Sequence, residues 1–158
     1  MLGRTYASQT CSVAGSLELI GERWTLLIVR DAFMGARRFE EFQRRTGAAR
    51  NVLSARLNRL VEEGIFRKVP YQDHPVRYEY RFTDKGLDLW PVIVSLLQFG
   101  DRHIYPGRAP VVLVHRNCEG AVSDHRICET CGAKLGPRDV VARRGIGGGM
   151  VAAGEISA

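Results

Sequence analysis

The stretch "NVLSARLNRLVEEGIFRKV", residues 51–69, constrains the fold more than any other part of the chain. Leu53, Leu57, Leu60 and Gly64 recur at spacings of four and three, which places them on one face of a helix. The pattern stops at Gly64, a residue that commonly ends helices. The chain then runs directly into "IFRKVPY", which reads as a strand. "QDHPV" follows as a polar turn, and "RYEYRF" returns as a second strand of alternating character. The local expectation is a helix backed at once by a β-hairpin.

The flanking segments extend this unit. Apolar residues at 13, 14, 17 and 20 predict a first helix. "WTLLIVRDAF", residues 24–33, is apolar nearly all round and predicts a central buried helix that stops near Gly35. Phe39 and Phe42 mark a short third helix ending at Gly47, with Glu40 and Glu41 in its first turn. Thr83-Asp84 caps a final helix through Leu87, Trp90, Ile93, Leu97 and Gly100, which Leu89, Val92 and Leu96 make broadly apolar. Trp90 and Leu97 are expected under a partner subunit or the first helix. Four helices, a hairpin and a long helix give a mainly α chain with a small β-hairpin: a winged helix-turn-helix whose third and fourth helices form the helix-turn-helix pair. This domain is assigned to residues 1–105. "YPGRAP" reads as a linker, residues 106–142 as a small extension, and the Gly/Ala-rich residues 143–158 as a disordered tail.

Charge points to an acidic partner. The 158-residue chain carries a formal charge of +6. Between positions 37 and 59 lie seven arginines against two glutamates, a local excess typical of nucleic-acid binders. On the helix of residues 51–64, Asn51, Ser54, Ala55 and Asn58 form a small polar face opposite the leucines, suited to close approach to base edges in a major groove. Arg37, Arg38, Arg50, Arg59 and the wing residue Arg77 are the candidates for phosphate or groove contacts. Asn51, Ser54 and Asn58 are the candidates for reading bases, with His74 at the wing tip as a further contact. The competing reading is a solvated helical surface. Glu18, Glu22 and Arg23 interrupt the first apolar stretch, and no run reaches membrane-spanning length. No export signal follows Arg4, so a cytoplasmic protein without a membrane partner is expected.

Four cysteines stand at 11, 118, 128 and 131. Without an export signal, reduced thiols or a metal site are favoured over structural disulfides. His115, Cys118, Cys128 and Cys131 have the spacing of a small zinc-ribbon-like site in which three thiolates and one imidazole close a tetrahedron. His125 is a rival fourth ligand. The "CETCG" pair also fits a redox dithiol or idle thiols.

Taken in order, the N-terminal cysteine, "IGERW", "GARRFEE", "LSARLNRLVEEG", "PVRYEY" and "FTDKG" resemble the HxlR-type winged-helix transcriptional regulators over about two-thirds of the chain. The resemblance implies a homodimer on pseudo-palindromic double-stranded operator DNA, paired through the first and final helices. It also implies control by a small-molecule effector or by modification of Cys11, which matches a cysteine that senses electrophiles or oxidants in some relatives. Many relatives have Ser or Thr where Ala48 and Ala49 stand, so the recognition helix is expected to be weakly capped, or capped by Thr46. Two other readings remain: a thiol-disulfide redox protein using Cys128 and Cys131, and a winged-helix interaction module that does not touch DNA. No Ser/His/Asp or paired-carboxylate arrangement stands out, so a non-enzyme is expected.

Overall fold

The computed structural model describes residue 6 and residues 9–148. Its elements are α1 (Ser12–Ile20), α2 (Arg23–Phe33), α3 (Phe39–Thr46), α4 (Arg50–Glu62), β1 (Phe66–Asp73), β2 (Val76–Phe82), α5 (Asp84–Leu87), α6 (Trp90–His103), β3 (Val111–His115) and β4 (Val140–Arg144). The expected helix-turn-helix with a hairpin behind it is present.

At α2 and α3 a glutamate supplies a partner for the N–H groups at the helix start. The Glu22 carboxylate accepts from the N–H of Trp24 (2.9 Å) and of Thr25 (3.3 Å) at the start of α2. The Glu41 carboxylate reaches back to the N–H of Arg37 (2.7 Å) and Arg38 (3.0 Å) before α3. Burial pushes the Glu41 carboxyl up, but these two N–H groups and nearby arginines hold it below its ordinary range. α4, like α1 and α6, has no side-chain cap. Ala49 at its N-cap makes no side-chain bond, and Thr46 accepts from the N–H of Ala48 (3.2 Å), the residue before the N-cap. The expected weakness of this cap is therefore real, and Thr46 does not repair it.

The core is built around α2. Ile28, Val29 and Ala32 are fully buried, and the Phe33 ring stacks on Phe82 at 4.2 Å and tilts against Trp90 at 5.3 Å. Leu53, Leu57 and Leu60 of α4 are also buried; each such side chain contributes about 1.5–3 kcal/mol relative to exposure. Two expectations change here. α2 is not covered all round, because Leu26 and Leu27 are only half-buried. Trp90 is covered by Phe33 of its own chain, so it belongs to the domain core and not to a subunit surface.

The hairpin is longer than the turn signals suggested. β1 and β2 pair antiparallel from Phe66↔Phe82 to Asp73↔Val76, with an irregularity between Pro70 and Gln72. Gln72, Asp73 and Val76, expected in the turn, are strand residues. Only His74 and Pro75 connect the strands, so the wing reaches further from the core. Gly64, at φ 69, makes the left-handed exit that aims α4 into β1.

The long final helix is split. α5 closes at Leu87, and α6 restarts with Pro91 in its first turn and runs on to His103. Beyond it, β3 and β4 pair from Val111↔Arg144 to His115↔Val140. Arg143 and Arg144, expected in a tail, are therefore strand residues; residues 149–158 of that tail lie outside the described residues. The extension is not an isolated bead. Cys128, Leu135 and Val140 belong to the same buried cluster as the helical core. Gln98 of α6 donates to the carbonyls of Val122 (3.3 Å) and Ser123 (3.1 Å), and Arg102 pairs with Asp124 at 2.8 Å.

Candidate nucleic-acid interface and thiol cluster

Packing the leucine face of α4 inward leaves Asn51, Ser54, Ala55 and Asn58 exposed on its other side. Arg50, at the start of the helix, lies over the Phe39 ring at 4.7 Å. Arg59 is exposed and pairs with Glu63 at 2.6 Å, an i,i+4 pair of small energetic weight. Asn58 does not stand alone: its Oδ1 accepts from Lys68 Nζ (3.2 Å) on β1. This bond joins the helix face to the wing.

The wing carries its own cations. Arg38 lies over the Tyr71 ring at 4.2 Å and its Nε sits 3.4 Å from Glu79, so it is held against the hairpin. Hydrogen bonds from Arg81, opposed by some desolvation, hold the Glu79 carboxyl below its ordinary range, with Arg38 adding to the effect. His74 and Arg77 are exposed at the tip. Arg37 differs from the others. It is half-buried, and its guanidinium reaches the Ala32 carbonyl at 3.5 Å. Burial and the Arg81 charge push its pKa down. The structure thus gathers Arg38, Arg50, Asn51, Ser54, Asn58, Arg59, His74 and Arg77 on α4, the loop before α3 and the wing, and turns Arg37 partly inward. Sequence reasoning missed Lys68, Tyr71 and Glu79. The alternation of "RYEYRF" could have put Glu79 on a strand face, but its pairing with Arg38 depends on how α3 docks against the hairpin.

The second candidate site sits in the extension. The ligand atoms of His115, Cys118, Cys128 and Cys131 all lie within 4.8 Å of one another. His115 Nδ1 is 3.2 Å from Cys118 Sγ and 3.3 Å from Cys131 Sγ, and Cys118 Sγ is 3.4 Å from Cys128 Sγ. β3 delivers the imidazole, the turn after it delivers Cys118, and the "CETCG" knuckle delivers the other two. His125 is exposed and lies outside the group. Gly120 is required here, since a Cβ at that position would come 2.5 Å from Cys128 Sγ.

The donor set fits a tetrahedral metal. Ligand bonds of about 2.3 Å put neighbouring sulfurs somewhat under about 4 Å apart, close to the spacing observed. The N–H groups of Cys131 and Thr130 draw the Cys128 thiol down to about 6 against its burial. The Gly120 N–H favours a thiolate at Cys118 too, but the neighbouring thiols outweigh it and push that group up. Crowded sulfurs that oppose one another's ionisation are what a bound cation relieves.

An exposed small-residue helix face, a basic wing beside it and a helix-turn-helix scaffold define a DNA-binding class of fold. The chain belongs to the HxlR-like helix-turn-helix family, whose family model matches residues 19–108. It is 46% identical over 137 residues to the HTH-type transcriptional regulator Rv3095 of Mycobacterium tuberculosis, covering 86% of this chain and 87% of that protein. The solved structure of PA1607, a candidate transcription factor, superposes with a TM-score of 0.69 at 40% identity, covering 85% of this chain and 94% of that one. The oxidised form of the redox regulator HypR matches with a TM-score of 0.55 at 28% identity, over 59% of this chain and 97% of that one. Among the described residues, no helix is long and apolar enough to cross a membrane.

Proposed function

We infer that the chain is a homodimeric transcriptional regulator that places α4 in the major groove of pseudo-palindromic operator DNA and its wing along the flanking backbone. The observation that carries this reading is the exposed Asn51, Ser54, Ala55 and Asn58 face of α4, tied to the wing through Lys68 and flanked by Arg38, Arg50, Arg59 and Arg77. Asn51, Ser54 and Asn58 face the bases; the arginines and His74 reach phosphates or groove edges. Arg37 supports the wing from behind.

Two variants separate these roles in an anisotropy titration. Asn58→Ala should cost about 1–3 kcal/mol and relax base preference. Arg50→Ala should weaken all sequences alike and lower the salt slope by about one. Both side chains are exposed, so the fold should survive. Unchanged affinity in both would take α4 out of the interface.

The dimer surface combines α1 and α6. Val92, Leu96 and Phe99 are 39%, 49% and 58% exposed along one side of α6, and Val13 and Leu17 are 67% and 44% exposed on α1. Apolar side chains so exposed and so aligned suit a second copy, whose geometry then sets the half-site spacing. Leu96→Asp should shift a micromolar sample from dimer to monomer in sedimentation with its helical content unchanged. A dimer of wild-type strength in that variant removes α6 from the pairing surface.

Zinc is the metal this donor set suits, held by His115, Cys118, Cys128 and Cys131 in a closed structural site. Bound there, it would supply charge neutralisation and a cross-link within the zinc-ribbon-like extension, which Gln98 and Arg102 hold against α6. Cys11 is the candidate for thiol control. It is exposed at the start of α1, and the N–H groups of Ala14 and Val13 lower its thiol pKa. Its modification would act at the edge of the proposed dimer surface, and a small-molecule effector would act through the same change in half-site spacing. The likeness to the redox regulator HypR supports thiol control.

A further inference from the structure

A second basic site lies where the base of the wing meets the extension. Arg37, Arg67, Arg81 and Arg138 line a cleft of about 760 Å³, against Glu79 and Asp84, and no residue of α4 takes part. The wing supplies Arg67 and Arg81, which pair directly across the hairpin. Like charges in that position are unfavourable. Glu79 is already engaged by Arg81 at 2.9 Å and by Arg38 at 3.4 Å. Among the described residues, the Arg67 and Arg138 side chains pair with no carboxylate. Four guanidinium groups thus line a recess that holds two carboxylates, and burial first, then the Arg81 charge, pushes the Arg37 pKa down.

We propose that this cleft binds a small ligand bearing two or more phosphate groups, held by Arg67, Arg81 and Arg138 with Arg37 behind them. Guanidinium forks match phosphate oxygens in pairs, which a lysine cannot do. The volume suits a small molecule, and a recess encloses such a ligand better than it meets the convex backbone of a duplex. Arg138 comes from the extension, so the site exists only when the extension is folded beside the wing. Its ligand would tie the two together. Arg81 shares Glu79 with Arg38, so an anion that draws Arg81 away leaves Glu79 to Arg38, which connects the cleft to the wing surface. Ligand binding does not depend on the DNA-binding reading and can be measured without DNA.

The test is calorimetric titration of the full chain with inorganic pyrophosphate at constant ionic strength, with sulfate as the comparison anion. Saturable binding of pyrophosphate in preference to sulfate is expected. Arg67→Ala and Arg138→Ala should each weaken it at least tenfold, with circular dichroism unchanged because both residues are exposed. Arg138→Lys, which keeps the charge but loses the fork, should fall between. Absence of saturation, or equal binding by wild type and all three variants, overturns the proposal. So does an Arg138→Ala protein that binds pyrophosphate normally but loses DNA affinity, because that places Arg138 on the duplex backbone.

Discussion

Cys128→Ser should leave the chain without bound zinc and open the segment after Pro110 to protease. Cys128 is the buried member of the four-ligand group, 1% exposed, and its sulfur is held by two knuckle N–H groups. A hydroxyl in its place is a poor ligand for a borderline metal. Structural zinc contributes about 10–16 kcal/mol of apparent binding energy in small zinc modules, and the other buried side chains of the extension, Val114, Leu135, Val140, Val141 and Ala142, lie mainly on its two strands and not in the knuckle. The damage should reach the C-terminal half of α6, where Gln98 and Arg102 anchor the extension. The aromatic cluster of Phe33, Phe66, Phe82 and Trp90 should keep the winged helix folded. Elemental analysis of protein purified without chelators should give one zinc per chain for wild type and for His125→Ala, and close to none for Cys128→Ser. Metal-free wild type with three freely titrating C-terminal thiols would falsify the zinc assignment. A Cys118–Cys128 disulfide in that preparation would assign the pair to redox switching instead.

Ser54→Glu should abolish operator binding without unfolding the chain. Ser54 sits at the middle of the exposed α4 face, and glutamate is a good helix former. In the groove, however, it sets a carboxylate among phosphates, and like-charge juxtaposition costs several kcal/mol. A loss of at least about a hundredfold is expected, roughly 3 kcal/mol. Ser54→Ala, which loses at most one hydrogen bond, should cost far less. Equal affinity of Ser54→Glu and wild type for operator DNA would mean that this face does not enter the groove.

The helix-turn-helix and its hairpin were legible because their signals are local. The leucine spacing, Gly64 and the following strand lie within a few turns of one another, and each depends only on backbone periodicity. The clustering of His115, Cys118, Cys128 and Cys131 was legible by spacing, yet the choice between His115 and His125 needed the fold, since β3 turns one imidazole in and the other loop leaves its histidine exposed. The misreadings share a cause. Gln72, Asp73 and Val76 have turn-like neighbours but are recruited by cross-strand hydrogen bonds. Arg143 and Arg144 border a glycine-rich run but find partners in β3. Trp90 looks like surplus apolar surface until Phe33 arrives from α2. Arg38, Glu79 and Tyr71 meet only after docking of distant segments. Contacts between residues far apart in the chain leave no periodic trace.

The most direct measurement is a salt titration of the purified protein on two labelled duplexes, one from the promoter region beside its own coding sequence and one of the same composition in scrambled order. The promoter duplex should bind as two protomers per duplex and about a thousandfold or more tighter than the scrambled one. Its logarithmic salt slope should be about −4 to −8, as expected when several arginines per protomer displace counterions. Equal affinity for both duplexes, or a slope near zero, would contradict a sequence-reading regulator built on α4 and the wing.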